Sequence, residues 1–340
     1  MDSSCCPDPA PVLLLHNVDP GWPAADIAAA EQDAQTAEKA LGEIGHTVEV
    51  VALRDPHLAG RLADTRPDAG VVFNSCEELP GVPHSEGQVV QVLEALGLAY
   101  TGSPADVLIR SWDKAGVRRR LERQGLPVPR WRLFRTAQSD GWDCFPAIVK
   151  PAYEHCSIGV TAEAVVFTPA ELNRRIDYVL AAFRQPALVE DFIDGREFHV
   201  GLWGNGVVEM LPPAEMDFSA FASARERLCT YDSKFSPGSP HYERVQVRVP
   251  AALAPEQARR LEAVCQGAYR ALGCRDYARL DLRLRADAFY VLDVNPNPDI
   301  TPETSMVEAA RVAGYSYGAM LSRLVHLAAD RHPLWGRHRH

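Results

Sequence analysis

A stretch of alternating polarity near the C-terminal end, residues 278 to 297, constrains the fold most strongly. Its sequence, ARLDLRLRADAFYVLDVNPN, predicts two antiparallel strands around a short turn at Ala286–Asp287–Ala288. Pairing about that turn places Arg285 opposite Phe289. The stretch therefore predicts a hairpin with a defined register.

Four polar residues of this hairpin fall on one face, because side chains alternate along a strand. The predicted register places Asp281 opposite Asp293 and Arg279 opposite Asn295. Like charges directly opposite each other are destabilising, so a positive group is expected between the two carboxylates. Carboxylate and amide oxygens suit Mg²⁺ or Mn²⁺ and suit zinc poorly. The alternative is a solvated hairpin face on which Arg279 only neutralises a neighbour.

Strand and helix patterns alternate over about the first hundred residues. Residues 11 to 18, 46 to 53 and 68 to 74 are typical of strands, whereas residues 24 to 44 and 86 to 97 are typical of helices. This alternation predicts an open α/β sheet. The sequence contains neither GxGxxG nor GxxxxGK[ST], so it predicts neither a Rossmann dinucleotide site nor a P-loop.

Three polar residues follow the end of the third predicted strand, namely Asn74, Glu77 and Glu86. Ligands of open α/β sheets bind beyond the carboxyl ends of the strands. Glu86 is therefore a candidate substrate-binding residue.

Length, charge and cysteine usage limit the class of protein. A chain of 340 residues exceeds what one compact core usually serves, so two or three subdomains are expected. The net charge of -10 argues against a nucleic-acid partner held through phosphates. No apolar run approaches the roughly 18 residues that span a membrane, and the N-terminus lacks the basic region of a signal peptide. The eight cysteines include no CxxC pair, which argues against a disulfide framework or a zinc site. We therefore predict a cytoplasmic protein without nucleic-acid or membrane partners.

Four features follow one another through the rest of the chain. Lys150 ends an apolar strand, and a loop with Ser157 and Gly159 comes directly after it. A predicted strand pair rich in carboxylates extends from Glu190 to Glu197, and the hairpin closes the series. Lysines neutralise phosphates, flexible loops wrap phosphate oxygens, and metal ions bridge the β- and γ-phosphates of nucleotides. Each of these features is weak evidence alone, and their order along the chain is what indicates a nucleotide site.

That order resembles the ATP-grasp superfamily and, within it, the D-alanine–D-alanine ligase family, from about residue 66 to 320. The motifs that carry the resemblance are YTGS at 100 to 103, DK at 113 and 114, GLPVP at 125 to 129, IVKPAYEHCSIGV at 148 to 160, VEDFIDGREF at 189 to 198, YDSK at 231 to 234, and RLDLR with LDVNPNPDI at the hairpin. Seven motifs in register are very unlikely to arise by chance.

The resemblance implies an α/β (α+β) ATP-grasp fold in three parts. We expect an N-terminal open α/β substrate-binding domain over 11–108, a small central lid subdomain over 109–188 and a C-terminal catalytic subdomain over 189–330. A disordered leader over 1–10 and a tail over 331–340 complete the prediction. The family also suggests a homodimer.

The resemblance further implies a role for each matching residue. Lysines contact the phosphates of ATP, a loop at 154–159 closes over them, and a mobile segment at 212–244 forms a lid. The residues implied for ATP are Lys114, Lys150, Ser157, Glu190, Glu197 and Lys234, those for catalysis are Arg279 and Lys234, and those for two Mg²⁺ ions (Mn²⁺ being possible) are Asp281, Asp293 and Asn295.

The implied reaction has two steps. A substrate carboxylate attacks the γ-phosphate of ATP and gives an acyl phosphate and ADP. An amine then attacks the acyl carbon and expels phosphate, which leaves an amide. The substrates would be amino acids or short peptides.

The departures from the family pattern cluster where the amino substrate should bind. Cys156 replaces a serine that helps to seat the second D-alanine, and Phe235 replaces a lid tyrosine. Asp299 replaces the glycine that lends a backbone N–H to the oxyanion, and Thr304 falls near a serine that binds the substrate carboxylate. Cys156 is either a small pocket residue or a reactive thiol, and Asp299 either meets a cationic amine or faces solvent.

We therefore predict a carboxylate–amine ligase with a substrate pair other than two D-alanines. The alternatives are a true D-alanine–D-alanine ligase, a kinase that stops at the acyl phosphate, and a catalytically silent ATP-binding protein. The complete set of metal and phosphate residues argues against a silent protein.

Overall fold

The structure is a computed structural model that describes residues 9–230 and 238–338. Helices pack around three sheets. The helices are α1 (Ala24–Glu43), α2 (Leu58–Arg61), α3 (Glu86–Ala95), α4 (Ala105–Ser111), α5 (Lys114–Arg123), α6 (Pro169–Phe183), α7 (Pro240–Arg244), α8 (Pro255–Leu272), α9 (Ser305–Val312) and α10 (Tyr317–Ala329).

The first sheet is parallel and has the order β2-β1-β3, with β1 (Val12–Asn17), β2 (Val48–Leu53) and β3 (Val71–Asn74). These strands and the helices α1 and α3 confirm the predicted alternation. Tyr100 adds one isolated parallel bridge to Val72 at the edge of this sheet.

The second sheet has four antiparallel strands in the order β4-β7-β5-β6. They are β4 (Trp131–Phe134), β5 (Ala147–Pro151), β6 (Val165–Val166) and β7 (Ala187–Asp191). Helix α6 covers this sheet, and Thr168 caps its N-terminus, since the hydroxyl oxygen of Thr168 accepts the backbone N–H of Glu171. The predicted boundary between the central and the C-terminal subdomain, between residues 188 and 189, falls inside β7. The second sheet continues to Asp191.

The third sheet carries the hairpin. Its path is β11-β10-β8-β12-β13, and β9 pairs with β8. Its strands are β8 (Arg196–Trp203), β9 (Glu209–Met210), β10 (Ala214–Asp217), β11 (Gln246–Arg248), β12 (Tyr277–Arg285) and β13 (Ala288–Asn295). Helices α5 and α8 pack on one face through Val117, Leu121 and Leu261. Helix α5, which lies within the range 109–188 predicted for the central subdomain, therefore packs on the third sheet.

The predicted strand pair between Glu190 and Glu197 is wrong. Strand β7 lies in the second sheet and β8 lies in the third, so residues 192 to 195 connect two sheets instead of turning a hairpin. The two glutamates consequently lie on different walls of the cleft between the sheets.

The hairpin register is confirmed at the polar residues and wrong near the turn. Asp281 lies opposite Asp293, and Arg279 lies opposite Asn295. The turn has two residues instead of three, so Arg285 lies opposite Ala288 and not Phe289. A β-bulge between these regions adds one residue to β13 and restores the predicted pairs.

The chain ends are more ordered than predicted within the described residues. Ala10, which we had assigned to a disordered leader, is buried, and its carbonyl lies 2.7 Å from Nδ1 of His46. Arg331 of the predicted tail forms an ion pair with Asp276, and His332 is buried beside Trp335.

The predicted lid segment at 212–244 is only partly irregular. It includes β10 and α7. Residues 231–237, and with them Lys234 and Phe235, lie outside the described part of the chain. No helix among the described residues is both long enough and apolar enough to span a membrane.

Candidate active site

The polar face of the hairpin is held together by hydrogen bonds. Arg279 donates to both carboxylate oxygens of Asp281, from Nε at 2.8 Å and from Nη2 at 3.1 Å. Asn295 Nδ2 donates to Asp281 Oδ2 at 3.2 Å. Burial alone would lower the pKa of Arg279, but the charge of Asp281 outweighs it and raises the pKa. Arg279 is therefore a fixed cation at the centre of the face.

The same face fits a divalent cation. Asp281 and Asp293 lie opposite each other, and Asp293 forms no ion pair with any residue that the structure describes. Arg279 neutralises only one of the two carboxylates. The donor set of two carboxylates and one amide suits a hard cation that prefers oxygen ligands. Asn295 would have to turn its amide to present Oδ1, since its nitrogen now faces Asp281.

A buried cluster of charges forms the opposite wall of the cleft. Glu190 on β7 is fully buried between Arg118 and Lys150, with Arg118 Nε 2.5 Å from Oε1 and Lys150 Nζ 2.9 Å from Oε2. Burial works to raise the pKa of Glu190, but Arg118 and Lys150 outweigh burial and lower the pKa to about 2. Glu190 is thus enclosed by protein, and its carboxylate holds Lys150 instead of being open to a nucleotide.

Lys114 connects the two walls. It begins α5, is buried, and its Nζ donates to the carbonyl oxygen of Glu154 in the predicted phosphate loop. Burial lowers the pKa of Lys114, whereas the charge of Asp293 raises it and that of Lys150 lowers it. The charges of Lys114, Lys150 and Asp293 therefore interact across the cleft.

The loop at 154–159 has a strained backbone. Cys156 and Ser157 have φ values of 55° and 61°, which side chains bearing a Cβ rarely adopt, and Gly159 has a φ of 75°. Such strain is concentrated at functional sites. Ser157 Oγ donates to the carbonyl of Cys229 at 2.9 Å, so this loop contacts the segment that precedes residues 231–237.

Glu197 lies on β8, on the wall of the cleft that carries the hairpin. Arg283 Nε donates to its Oε2 at 2.7 Å, and His199 Nε2 lies 3.4 Å from its Oε1. Burial would raise the pKa of Glu197, but Arg283 and His199 outweigh it and lower the pKa to about 2. Its carboxylate is therefore ionised at neutral pH.

Three residues of the site were missed by sequence reasoning, namely Arg118, His199 and Arg283. The position of each residue along its strand or helix directs its side chain towards the cleft. Arg283 and His199 lie two residues from Asp281 and Glu197 on the same strands, so period-two alternation could have identified them. Nothing local in the sequence marks Arg118 as the partner of a glutamate 72 positions away.

The predicted acceptor residues lie at the carboxyl end of the first sheet and after the hairpin. Glu86 Oε1 accepts a hydrogen bond from Asn297 Nδ2 at 2.9 Å. Burial is the main cause that raises the pKa of Glu86 to about 7. Asp299 is exposed, and its Oδ1 accepts the backbone N–H of Thr301. Thr304 precedes α9 and donates its hydroxyl to the carbonyl of Thr301.

Glu86 and Asp299 belong to a larger group of carboxylates that form no ion pair among the described residues. Asp33, Glu77 and Glu303 also face Asp299 or Glu86, and the pKa values of Asp33 and Glu77 are raised first by burial and then by Asp299. Solvent reaches Glu77 even though protein surrounds most of it, so it lies in a cleft. None of these carboxylates forms an ion pair within residues 9–230 and 238–338. The repulsion within the group would be relieved by a cation.

Solved structures share the fold of this chain. One is a D-alanine–D-alanine ligase of Bacillus anthracis complexed with ATP, with a TM-score of 0.70, 18% identity and coverage of 94% of this chain and 97% of that chain. A second structure of the same enzyme gives the same TM-score at 20% identity. The predicted ATP-grasp fold is confirmed.

Sequence comparisons identify the family. A family model described as the D-ala D-ala ligase C-terminus matches residues 121–326. A D-alanine–D-alanine ligase of Desulforudis audaxviator is 33% identical over 260 residues, 74% of this chain and 80% of that protein. An uncharacterised protein, y4sG, of Sinorhizobium fredii is 32% identical over 266 residues, 78% of this chain and 76% of that protein. The chain belongs to the D-alanine–D-alanine ligase family, a family of ligases that form carbon–nitrogen bonds.

Proposed function

We propose that this chain joins a carboxylate to an amine at the expense of ATP, through an acyl phosphate. The observation that carries the proposal is the shared hairpin face of Arg279, Asp281, Asp293 and Asn295, with Lys114 close enough to Asp293 to interact with it. This face combines fixed cations with oxygen ligands. Phosphoryl and acyl transfer both require such a combination.

In the first step, a carboxylate oxygen of the substrate attacks the γ-phosphorus of ATP, the bond to the β–γ bridging oxygen breaks, and ADP leaves. Lys114 and Lys150 are placed to neutralise phosphate oxygens, and Glu190 keeps Lys150 oriented. Asp281, Asp293 and Asn295 would hold the divalent cation, which supplies charge neutralisation on the phosphates when bound. Two Mg²⁺ ions are our proposal for this set.

In the second step, the amine nitrogen attacks the acyl carbon, phosphate leaves, and the nitrogen loses a proton. Negative charge develops on the acyl oxygen, and Arg279 is the fixed cation positioned to stabilise it. One such group typically contributes about 10²–10³ in rate. The loop at 154–159 would exclude water, which otherwise hydrolyses the acyl phosphate.

We further propose that the acceptor amine carries more positive charge than D-alanine. The acids around Asp299 and Glu86 support this, because none of them forms an ion pair among the described residues and only the charge of Asp299 reaches Arg279. Asp299 supports it as well, because it adds a carboxylate where the family resemblance implies a glycine. Cys156 stands where the resemblance implies a serine that seats the second D-alanine, so the acceptor pocket differs there too. A basic amino acid or a diamine matches the cleft.

The test is release of phosphate and ADP over a panel of D- and L-amino acids, basic amino acids and diamines, with ATP and Mg²⁺, followed by mass spectrometry. We expect an amide product and the fastest turnover with a cationic amine. A dimer of D-alanine as the best product would establish the true D-alanine–D-alanine ligase instead. A hydroxylamine-trapped acyl phosphate without any amide would indicate a kinase, and no ADP release with any pair would indicate a silent protein.

Several coarser features accompany this proposal. We propose a cytoplasmic homodimer without nucleic-acid or membrane partners, in which the three sheets mark three subdomains. The net charge of -10 supports the absence of a nucleic-acid partner. Size-exclusion chromatography with light scattering would test the dimer.

The raised pKa of Glu86 gives a prediction for stability. Its folded pKa of about 7 exceeds the ordinary value of 4.5, so the folded state binds the extra proton between these values. The free energy of unfolding should therefore fall as pH rises from about 4.5 to 7. The full destabilisation caused by the ionised Glu86 carboxylate should be present above pH 7. Glu86→Gln is expected to be more stable than the wild type by about 2–3 kcal/mol at pH 8 and no more stable at pH 4.5.

Urea denaturation at both pH values measures this difference. Glu43→Gln at the exposed end of α1 is the matched control and should show no such pH dependence. An equal effect of Glu86→Gln at both pH values would contradict the assigned pKa.

The chemistry proposed for the site predicts that Cys156 is not a nucleophile. Cys156→Ser should keep turnover of the same order as the wild type, because the acyl group is carried by phosphate and not by sulfur. Loss of a true covalent nucleophile would instead reduce turnover by at least about 10³-fold. Steady-state kinetics with the best substrate pair distinguishes the two, and intact-protein mass spectrometry would reveal any acyl thioester.

A further inference from the structure

The side chains of Glu197, His199 and Cys229 lie close together beside the cleft. The proposed reaction gives no joint role to these three residues. Glu197 and His199 lie two residues apart on β8 and share one face. Cys229 lies close to them, on the segment that follows β10. One ligand atom from each lies within 4.8 Å of the other two. Glu197 and His199 are buried, with exposures of 5% and 7%, and Cys229 is half-buried.

The donor atoms of this group differ from those of the hairpin. A thiolate, an imidazole and a carboxylate are the usual protein ligands of zinc, whereas the hairpin offers oxygens alone. Ligand atoms around a tetrahedral zinc ion lie roughly 3.3–3.8 Å apart, as its bond lengths require. The 3.4 Å between His199 Nε2 and Glu197 Oε1 already matches that separation. A shift of about 1 Å would bring the sulfur of Cys229 into the same range.

The surroundings hold these ligands in place. Arg283 binds Oε2 of Glu197, which leaves Oε1 directed at His199. The backbone carbonyl of Cys229 accepts a hydrogen bond from Ser157 Oγ at 2.9 Å. Such outer partners orient metal ligands and contribute about 10–100-fold to metal affinity.

We propose that Glu197, His199 and Cys229 form a zinc site at the rim of the nucleotide cleft, with water in the fourth position. Binding releases the thiol proton of Cys229 to solvent as its sulfur bonds to the metal. Because the family resemblance implies that Glu197 binds the ribose hydroxyls of ATP, zinc and ATP exclude each other, and zinc inhibits the enzyme. This second part rests on the proposed function, whereas zinc binding itself does not.

Zinc binding is measured on the full chain without nucleotide, by competition with a chromophoric chelator. We expect the wild type to bind one equivalent more than Cys229→Ser or His199→Gln, with affinity at that site weakened by more than about 100-fold in either variant. Cys144→Ser, which alters a half-buried cysteine near the second sheet, is the control and should bind like the wild type. The comparison between variants also separates this site from any binding by Cys5 and Cys6.

Cobalt supplies a second readout. Co²⁺ in place of zinc should give a thiolate-to-metal charge-transfer band in the wild type and in Cys144→Ser, and none in Cys229→Ser. Identical zinc stoichiometry and affinity in the wild type and Cys229→Ser would overturn the site, whatever the activity assays show.

The exclusion of nucleotide is tested with adenosine, whose ribose is intact and which lacks phosphates that would chelate zinc. We expect adenosine to weaken zinc binding to the wild type, and zinc to inhibit ligation competitively with ATP at constant free Mg²⁺. Unchanged zinc affinity at saturating adenosine would overturn the shared role of Glu197. Ligase activity that is present but insensitive to zinc would do the same while leaving the proposed reaction intact.

Discussion

Asp293→Asn is expected to reduce turnover by at least about 10³-fold without unfolding the protein. Asp293 lies opposite Asp281 on the hairpin and interacts with Lys114 across the cleft. Asparagine keeps the size and removes the negative charge, so the divalent cation loses a ligand that both steps require. Steady-state kinetics with ATP, Mg²⁺ and the best substrate pair measures the loss.

The same change should not harm the fold. It removes the repulsion between Asp293 and Asp281 and also the attraction of Asp293 to Lys114, so the two effects oppose each other and the free energy of unfolding is expected to change little. Mn²⁺ binding followed by electron paramagnetic resonance should weaken in parallel with turnover. Such a combination of lost metal, lost activity and retained stability would not follow from an unfolded variant.

Asp287→Asn is the matched control. It makes the same chemical change in the turn of the same hairpin, where φ is 62°, a value that asparagine tolerates. We expect near-normal turnover. Full activity of Asp293→Asn would support the solvated hairpin face and remove the metal assignment.

The polar face of the hairpin was predictable because it depends on alternation and on one pairing register. The structure shows why the register survived an error in the turn. Ala286 and Asp287 both have positive φ and form a two-residue turn, and the extra residue Leu292 on β13 compensates for the missing one. The carbonyl of Leu292 accepts a hydrogen bond from Arg118, so the bulge also anchors the hairpin to α5. No local pattern predicts such a bulge.

The walls of the cleft were less predictable because they depend on distant pairs. Glu190 and Glu197 are seven residues apart, yet they lie in different sheets and each is neutralised by arginine from another element. The zinc ligands illustrate the same limit. Cysteine spacing argued against a metal site, since it considers neighbours in sequence, whereas Cys229 meets His199 only through the fold.

Glu190→Gln is expected to lower the free energy of unfolding at pH 7 by about 3–5 kcal/mol, because it leaves the buried cations Arg118 and Lys150 without a counter-charge. The pH dependence follows from the folded pKa of about 2, below the ordinary value of 4.5. Glu190 stabilises the fold fully above pH 4.5, and this contribution is lost as pH falls towards 2. The difference in the free energy of unfolding between the wild type and Glu190→Gln should therefore be constant from pH 7 to 5 and decrease below pH 4.5.

Urea denaturation at pH 7, 5 and 3 measures that gap, and Glu308→Gln is the control. Glu308 pairs with Arg311 on the surface, where an ion pair contributes at most about 1 kcal/mol, so its loss should be small at every pH. A Glu190→Gln variant as stable as the wild type at pH 7 would mean that Arg118 and Lys150 do not need their carboxylate. Lys150 would then be free to leave the wall, and Glu190 would be available to a nucleotide after all.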